Sequence, residues 1–99
     1  MTRVTAQAEK GKYYIKADGH AMGSSEVCAA VSGIVYALAG YLENSESIAC
    51  EEVTLSEGRA EFRFVGADDA EAVYLMTLIG LCQIEEQYPE YIEIKEELP

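Results

Sequence analysis

The chain has 99 residues, about half of them apolar, and a net charge of −11 from 18 acidic and 7 basic side chains. That length fits one globular domain over residues 1–99, and the apolar share is too high for a disordered chain. So few cations argue against a phosphate-backbone partner, so no direct nucleic-acid contact is expected; the acidity suits a basic peptide or protein, and it also serves solubility.

The three cysteines, Cys28, Cys50 and Cys82, form no C-x-x-C pair, and Met1-Thr2-Arg3-Val4 starts no apolar leader. A reduced, cytoplasmic protein is the expectation. One histidine and three scattered cysteines give no zinc spacing, so neither metal nor cofactor is expected. The longest apolar stretch, Val27 to Leu42, is broken by Ser32 and is short for a bilayer span, so a buried helix is predicted and no membrane partner.

In chain order, Val4–Ala8 alternates weakly and reads as a strand, Glu9-Lys10-Gly11-Lys12 as a turn, and Tyr13–Asp18 as a second strand. Gly19–Gly23 is a loop. A helix follows from about Ser25 to Leu42, with Val27, Val31, Ile34, Val35, Leu38, Tyr41 and Leu42 at helical spacing. Small residues on its other faces mark it as a central buried helix. Ser47–Leu55 and Arg59–Val65 read as a second hairpin around Ser56-Glu57-Gly58, with Ala60, Phe62 and Phe64 on its apolar face. Asp68-Asp69-Ala70-Glu71 looks like a helix N-cap with a glutamate three residues on. That second helix runs to about Tyr88, holding Val73, Leu75, Met76, Leu78, Ile79 and Cys82 inside, and Pro89 stops it. Tyr91–Lys95 is a closing strand and Glu96–Pro99 a frayed tail. The sum is an α+β, two-layer domain: a mainly antiparallel sheet of about five strands with two helices.

The only histidine, His20, lies eight residues before Cys28. A cysteine nucleophile needs a base within reach and surroundings that favour an anion. His20 is the one imidazole available as base. A helix begins at Ser24 or Ser25; with Ser25 as N-cap, Cys28 falls in its first turn, where free N–H groups and the dipole favour negative charge. The residues alone also fit a small buried cysteine at the start of a core helix, and a solvent-facing loop histidine.

Gly19-His20-Ala21, a glycine-bearing loop, and Val27-Cys28-Ala29-Ala30-Val31-Ser32 together resemble the signature of the Prp family of bacterial cysteine proteases. Length, element order and acidity match as well. The resemblance implies Cys28 as nucleophile and His20 as general base and acid. It implies Gly19 as the glycine before the histidine, and Ser32 as a retained residue supporting the helix face of Cys28. The oxyanion would rest on backbone N–H groups at the helix start, that of Cys28 included. The implied activity is removal of the N-terminal extension of a large-subunit ribosomal protein, a basic partner, by a homodimer. Two features depart from the family pattern: the loop from His20 to Cys28 is shorter, and Ser25 stands where an aspartate is usual. Glu26 and Asp18 are candidates to orient the imidazole. Gly23 is a candidate hinge, and Tyr13, Tyr14, Tyr88 and Tyr91 fit either a groove, a dimer interface or plain sheet packing. Cys50 and Cys82 read as structural. The alternatives are a non-catalytic acidic module that binds a basic ribosomal protein, and a redox-responsive thiol protein using Cys28.

Overall fold

The computed structural model describes residues 1–19 and 24–97. Its elements run β1 (Thr2–Glu9), β2 (Lys12–Asp18), α1 (Ser25–Asn44), β3 (Ala49–Ser56), β4 (Arg59–Val65), α2 (Asp68–Gln87) and β5 (Ile92–Glu97). The two-layer α+β expectation holds: one sheet in the order β3-β4-β2-β1-β5 carries both helices, and only the β1–β5 pair is parallel. Strand β5 extends through Glu96 and Glu97, which the sequence reading gave to a tail; Leu98 and Pro99 lie outside the described residues.

Alternation builds the sheet. Val4 and Ala6, Tyr13, Ile15 and Ala17, and Ala60, Phe62 and Phe64 pair across strands on one face, and all are buried. Tyr13 stacks on Phe64 with ring centroids 5.5 Å apart and meets Tyr74 of α2 at 5.1 Å. The two-residue turn at Lys10 and Gly11 has positive φ at both, the backbone a tight hairpin needs.

The other sheet face is open to solvent and polar. Arg3, Lys12, Lys16, Arg59, Arg63 and Lys95 occupy it, every basic residue except Lys10. Arg59 pairs with Glu61 at 3.0 Å, Arg63 with Glu52 at 3.2 Å, and Arg63 lies 4.2 Å over the ring of Tyr14, whose hydroxyl donates to Glu61 at 2.5 Å.

The helices depart from expectation in four ways. Helix α1 is not buried all round: Val27, Val31, Val35, Leu38 and Leu42 face the core, while Ala29, Ala30, Gly33, Tyr36, Ala37 and Tyr41 are exposed. By length and composition alone its 20 residues suffice to cross a membrane, contrary to the sequence estimate, although its core-facing stripe is packed within this fold. In α2 the buried side chains are Ala70, Val73, Tyr74, Thr77, Leu78 and Leu81, so Leu75, Met76, Ile79 and Cys82 point outward. Apolar residues surround α2 on most sides, and its phase is set by the sheet. Tyr74 fills the space beside Tyr13, and Thr77 hides its hydroxyl by donating to the Val73 carbonyl at 2.8 Å. The N-cap of α2 is Ala67, with no side-chain cap bond; Asp68, Asp69 and Glu71 instead lie in the first turn, where the helix dipole favours them.

Phe62 is fully buried at the centre of the sheet. Phe62→Ala should therefore cost about 3–5 kcal/mol of stability, read from the shift of the urea unfolding midpoint.

Candidate active site

Helix α1 is capped by Ser24, whose backbone is extended and whose Oγ accepts the Val27 N–H at 3.2 Å. The cap falls one residue earlier than Ser25. Ser25 and Glu26 become the first two helical residues and Cys28 the fourth. The Cys28 N–H donates to the Ser24 carbonyl at 3.3 Å, the first turn's own bond. It is therefore not available to an oxyanion, which corrects the sequence expectation. The N–H groups of Ser25 and Glu26 have no acceptor within the helix, as at any helix start.

Cys28 is half-buried and opens on a cavity of about 500 Å³. One wall is α1, contributing Cys28, Val31, Ser32, Val35 and Tyr36; the other is the β3–β4 hairpin from Leu55 to Ala60; Thr2, Ala17 and Gly19 close the end. Three of the residues picked from sequence, Gly19, Cys28 and Ser32, thus line one space.

Gly19 is held there by backbone alone. Its φ is +92°, its N–H donates to the Gly58 carbonyl at 2.8 Å, and a Cβ on it would stand 2.6 Å from the Met1 carbonyl oxygen. No side chain fits, which explains a glycine immediately before the histidine. His20 and Gly23 themselves lie outside the described residues.

Neither acidic candidate for a third group lines the cavity. Glu26 is exposed and accepts the Tyr88 hydroxyl at 3.2 Å, a bond that raises the Tyr88 phenol above its usual range. Asp18 pairs in register with Arg3 and Arg59 on the open sheet face. Ser25 is exposed at the first helical position.

Cys50 and Cys82 are exposed, not buried structural residues. Neighbouring protein still desolvates both thiols and raises them, and for Cys82 the carboxylates of Glu85 and Glu96 add to it. None of the three cysteines is in a disulfide. Among the described residues no group of three or more His, Cys, Asp or Glu side chains is placed to hold a metal.

Sequence reading missed Tyr36, Leu55, Glu57 and Arg59. Tyr36 was within reach, since Cys28, Ser32 and Tyr36 follow at four-residue spacing on one helix face. The hairpin residues reach the site only through the tertiary fold.

A half-buried cysteine in the first turn of a helix, at the head of an open cavity, is the arrangement of a cysteine hydrolase. The sequence matches the family described as cysteine protease Prp over residues 1–93, and the chain belongs to that family. Two solved structures of an essential ribosomal processing protease Prp from S. aureus share the fold. The one with a covalently linked product peptide has a TM-score of 0.85 at 24% identity, covering 98% of this chain and 100% of that one. The one with a substrate peptide has a TM-score of 0.76 at 21% identity, with the same 98% and 100% coverage. A Streptococcus mutans protein is similar with a TM-score of 0.72 at 23% identity, over 100% of this chain and 96% of that one. No curated protein sequence matches.

Cys28 should react with iodoacetamide near neutral pH much faster than Cys50 or Cys82, whose thiols the protein raises. Mass spectrometry of the labelled peptides gives the three rates, and equal slow labelling in the folded protein would contradict the assignment.

Proposed function

We propose that this protein removes the N-terminal extension of a large-subunit ribosomal protein, with Cys28 as nucleophile and His20 as general base and acid. The observation that carries this is the cavity that gathers Gly19, Cys28 and Ser32 at the start of α1 in a chain of the Prp family. The S. aureus relatives, described as ribosomal processing proteases, support the choice of substrate.

The chemistry follows from the residues. His20 takes the Cys28 thiol proton as Sγ attacks the scissile carbonyl carbon. The carbonyl oxygen gains negative charge, and among the described residues the N–H groups of Ser25 and Glu26, which have no acceptor within the helix, are the donors that would meet it. The C–N bond breaks, the proton on His20 goes to the leaving amine, and a thioester remains on Cys28. Water then attacks the thioester, giving a proton to His20, and Sγ leaves and takes that proton back. Ser32, one turn after Cys28, supports the cavity wall.

Charge supports a basic substrate. Helices α1 and α2 carry Glu26, Glu43, Asp68, Asp69, Glu71, Glu85 and Glu86 and no Lys, Arg or His. The open sheet face holds nearly all the cations, already facing carboxylates. The net charge therefore sits on the helix layer and rims, the side on which Cys28 lies, and it would steer a basic protein there. The homodimer is supported by the exposed apolar side chains of the same layer, Tyr36 and Tyr41 on α1 with Leu75, Met76 and Ile79 on α2. A cytoplasmic setting agrees with three cysteines outside any disulfide.

The test is mass spectrometry of the ribosomal protein, or a peptide spanning its extension and basic continuation, after incubation with wild type, Cys28→Ala and His20→Ala. Wild type should cut once. His20→Ala should be slower by about 10²–10⁴-fold with its fold intact. Cys28→Ala should bind without cutting, and more weakly at high salt, because exposed charges are screened beyond about 8–10 Å. If wild type binds and never cuts, the protein is an acidic binding module instead. If it neither binds nor cuts, the substrate is wrong.

A further inference from the structure

The corner between α2 and β5 braces the start of α1. There the Tyr88 N–H closes α2 by donating to the Ile84 carbonyl at 2.8 Å, and the Tyr91 N–H donates to the Tyr88 carbonyl at 3.0 Å. The Tyr91 carbonyl accepts the N–H of Thr2, a residue that lines the end of the cavity, at 2.9 Å. The Tyr88 ring is half-buried and packs against the core, which fixes where its hydroxyl can reach. That hydroxyl donates to Glu26 of α1 at 3.2 Å, a bond between residues 62 apart in sequence.

Glu26 has a reason to need this partner. It is the second residue of α1 and the only acidic residue in the first turn. A carboxylate placed there is drawn to the unpaired N–H groups and to the positive end of the dipole. Among the described residues those N–H groups, of Ser25 and Glu26, are the donors that the proposed reaction leaves for the oxyanion. A Glu26 side chain folded back on them would occupy the donors and put a negative charge where a second one must develop. The structure holds it elsewhere. Glu26 is exposed, bonded to Tyr88, and absent from the cavity lining, although it stands two residues before Cys28. The same bond raises the Tyr88 phenol, so the hydroxyl keeps its proton and stays a donor near neutral pH.

We propose that Tyr88 is a positioning residue for this reaction: it holds the Glu26 carboxylate away from the start of α1 and so keeps the Ser25 and Glu26 N–H groups open to the oxyanion. The inference rests on the protease reading above. It assigns the hydroxyl a role that a simple tie between helices does not have, because the harm done by losing Tyr88 should depend on Glu26 being present.

The test compares wild type, Tyr88→Phe, Glu26→Ala and the double variant. kcat and KM are measured on a peptide spanning the extension and its basic continuation, and inhibition by a peptide aldehyde ending at the cut is measured beside them. The aldehyde carbon bonds to Sγ, the thiol proton passes to His20, and the aldehyde oxygen is left as an anion in the place of the oxyanion. Tyr88→Phe should lower kcat by about 3–10-fold and weaken the aldehyde by a similar factor, the scale of a charge at a helix N-terminus. KM should stay within about two-fold, since the affected contact is made only as charge develops. With the carboxylate gone, the hydroxyl has nothing to hold, so the double variant should match Glu26→Ala within about two-fold and turn over faster than Tyr88→Phe. Phenylalanine keeps the ring and both positions reach solvent, so the unfolding midpoint checks that each variant is folded. If the double variant is as slow as Tyr88→Phe, the bond is only a tie between helices and the proposal is overturned. If Tyr88→Phe keeps the wild-type kcat and aldehyde affinity, the proposal is overturned and the protease reading survives. If wild type neither cuts the peptide nor binds the aldehyde, the protease reading fails and takes this inference with it.

Discussion

The inner face of the sheet must be buried. Ile15, Phe62 and Phe64 lie at its middle with almost no exposure, and a two-layer fold leaves only the helices to cover them. Burying each such side chain is worth about 1.5–3 kcal/mol, far more than any surface ion pair in the molecule. This fixes the phase of α1, since Val27, Val31, Val35, Leu38 and Leu42 must point down. Once Val27 points into the core, the next residue, Cys28, is rotated to the flank. It can be neither fully buried nor fully exposed. The half-buried position of Cys28, the proposed nucleophile, is a consequence of the core and needs no separate device.

The same constraint divides the charge. A sheet with one covered face must keep its other face wet, and there cations and carboxylates alternate across strands, as at Arg3, Asp18 and Arg59. That lattice uses almost every basic residue the chain has. The helices are left with carboxylates only. At the C-terminal end of α2 this is unfavourable for the dipole, and Glu85 is offset in part by accepting the Ile94 N–H at 2.7 Å. That bond also satisfies a donor on β5, an edge strand, and so blunts a site where another chain might add.

Strands were legible because alternation in β2 and β4 is strict: Tyr13, Ile15, Ala17 and Ala60, Phe62, Phe64 allow one register only. Helix α2 was legible as a helix but not in phase. Val73 through Met76 is apolar at every position, so periodicity gives no single answer, and the choice fell to packing: Tyr74 against Tyr13, with Thr77 satisfied by its own helix. The cap of α1 was misplaced by one residue because Ser24 and Ser25 are equally good caps by composition. That one residue matters chemically, since it spends the Cys28 N–H on Ser24. Cys28, Gly19 and Ser32 were found through a family signature. Tyr36 was visible as a helical ladder from Cys28, whereas Leu55 reaches the cavity only because β4 inserts between β3 and β2, which no local pattern encodes.

The end of the cavity joins four distant parts of the chain. The Gly19 N–H reaches the Gly58 carbonyl in the β3–β4 turn, the Met1 carbonyl closes over Gly19, and the Thr2 N–H donates to the Tyr91 carbonyl at 2.9 Å. None of these contacts is made by a side chain, so none depends on a particular residue type except where glycine is the only type that fits. Backbone contacts of this kind form only when all four segments have reached their final places. The segment entering His20 is therefore set by the completed sheet, and the separation between that entry point and Cys28 is set by the packing of α1 on the same sheet. Sheet and helix thus bring Gly19 and Cys28, close in sequence but held by different layers, to one cavity.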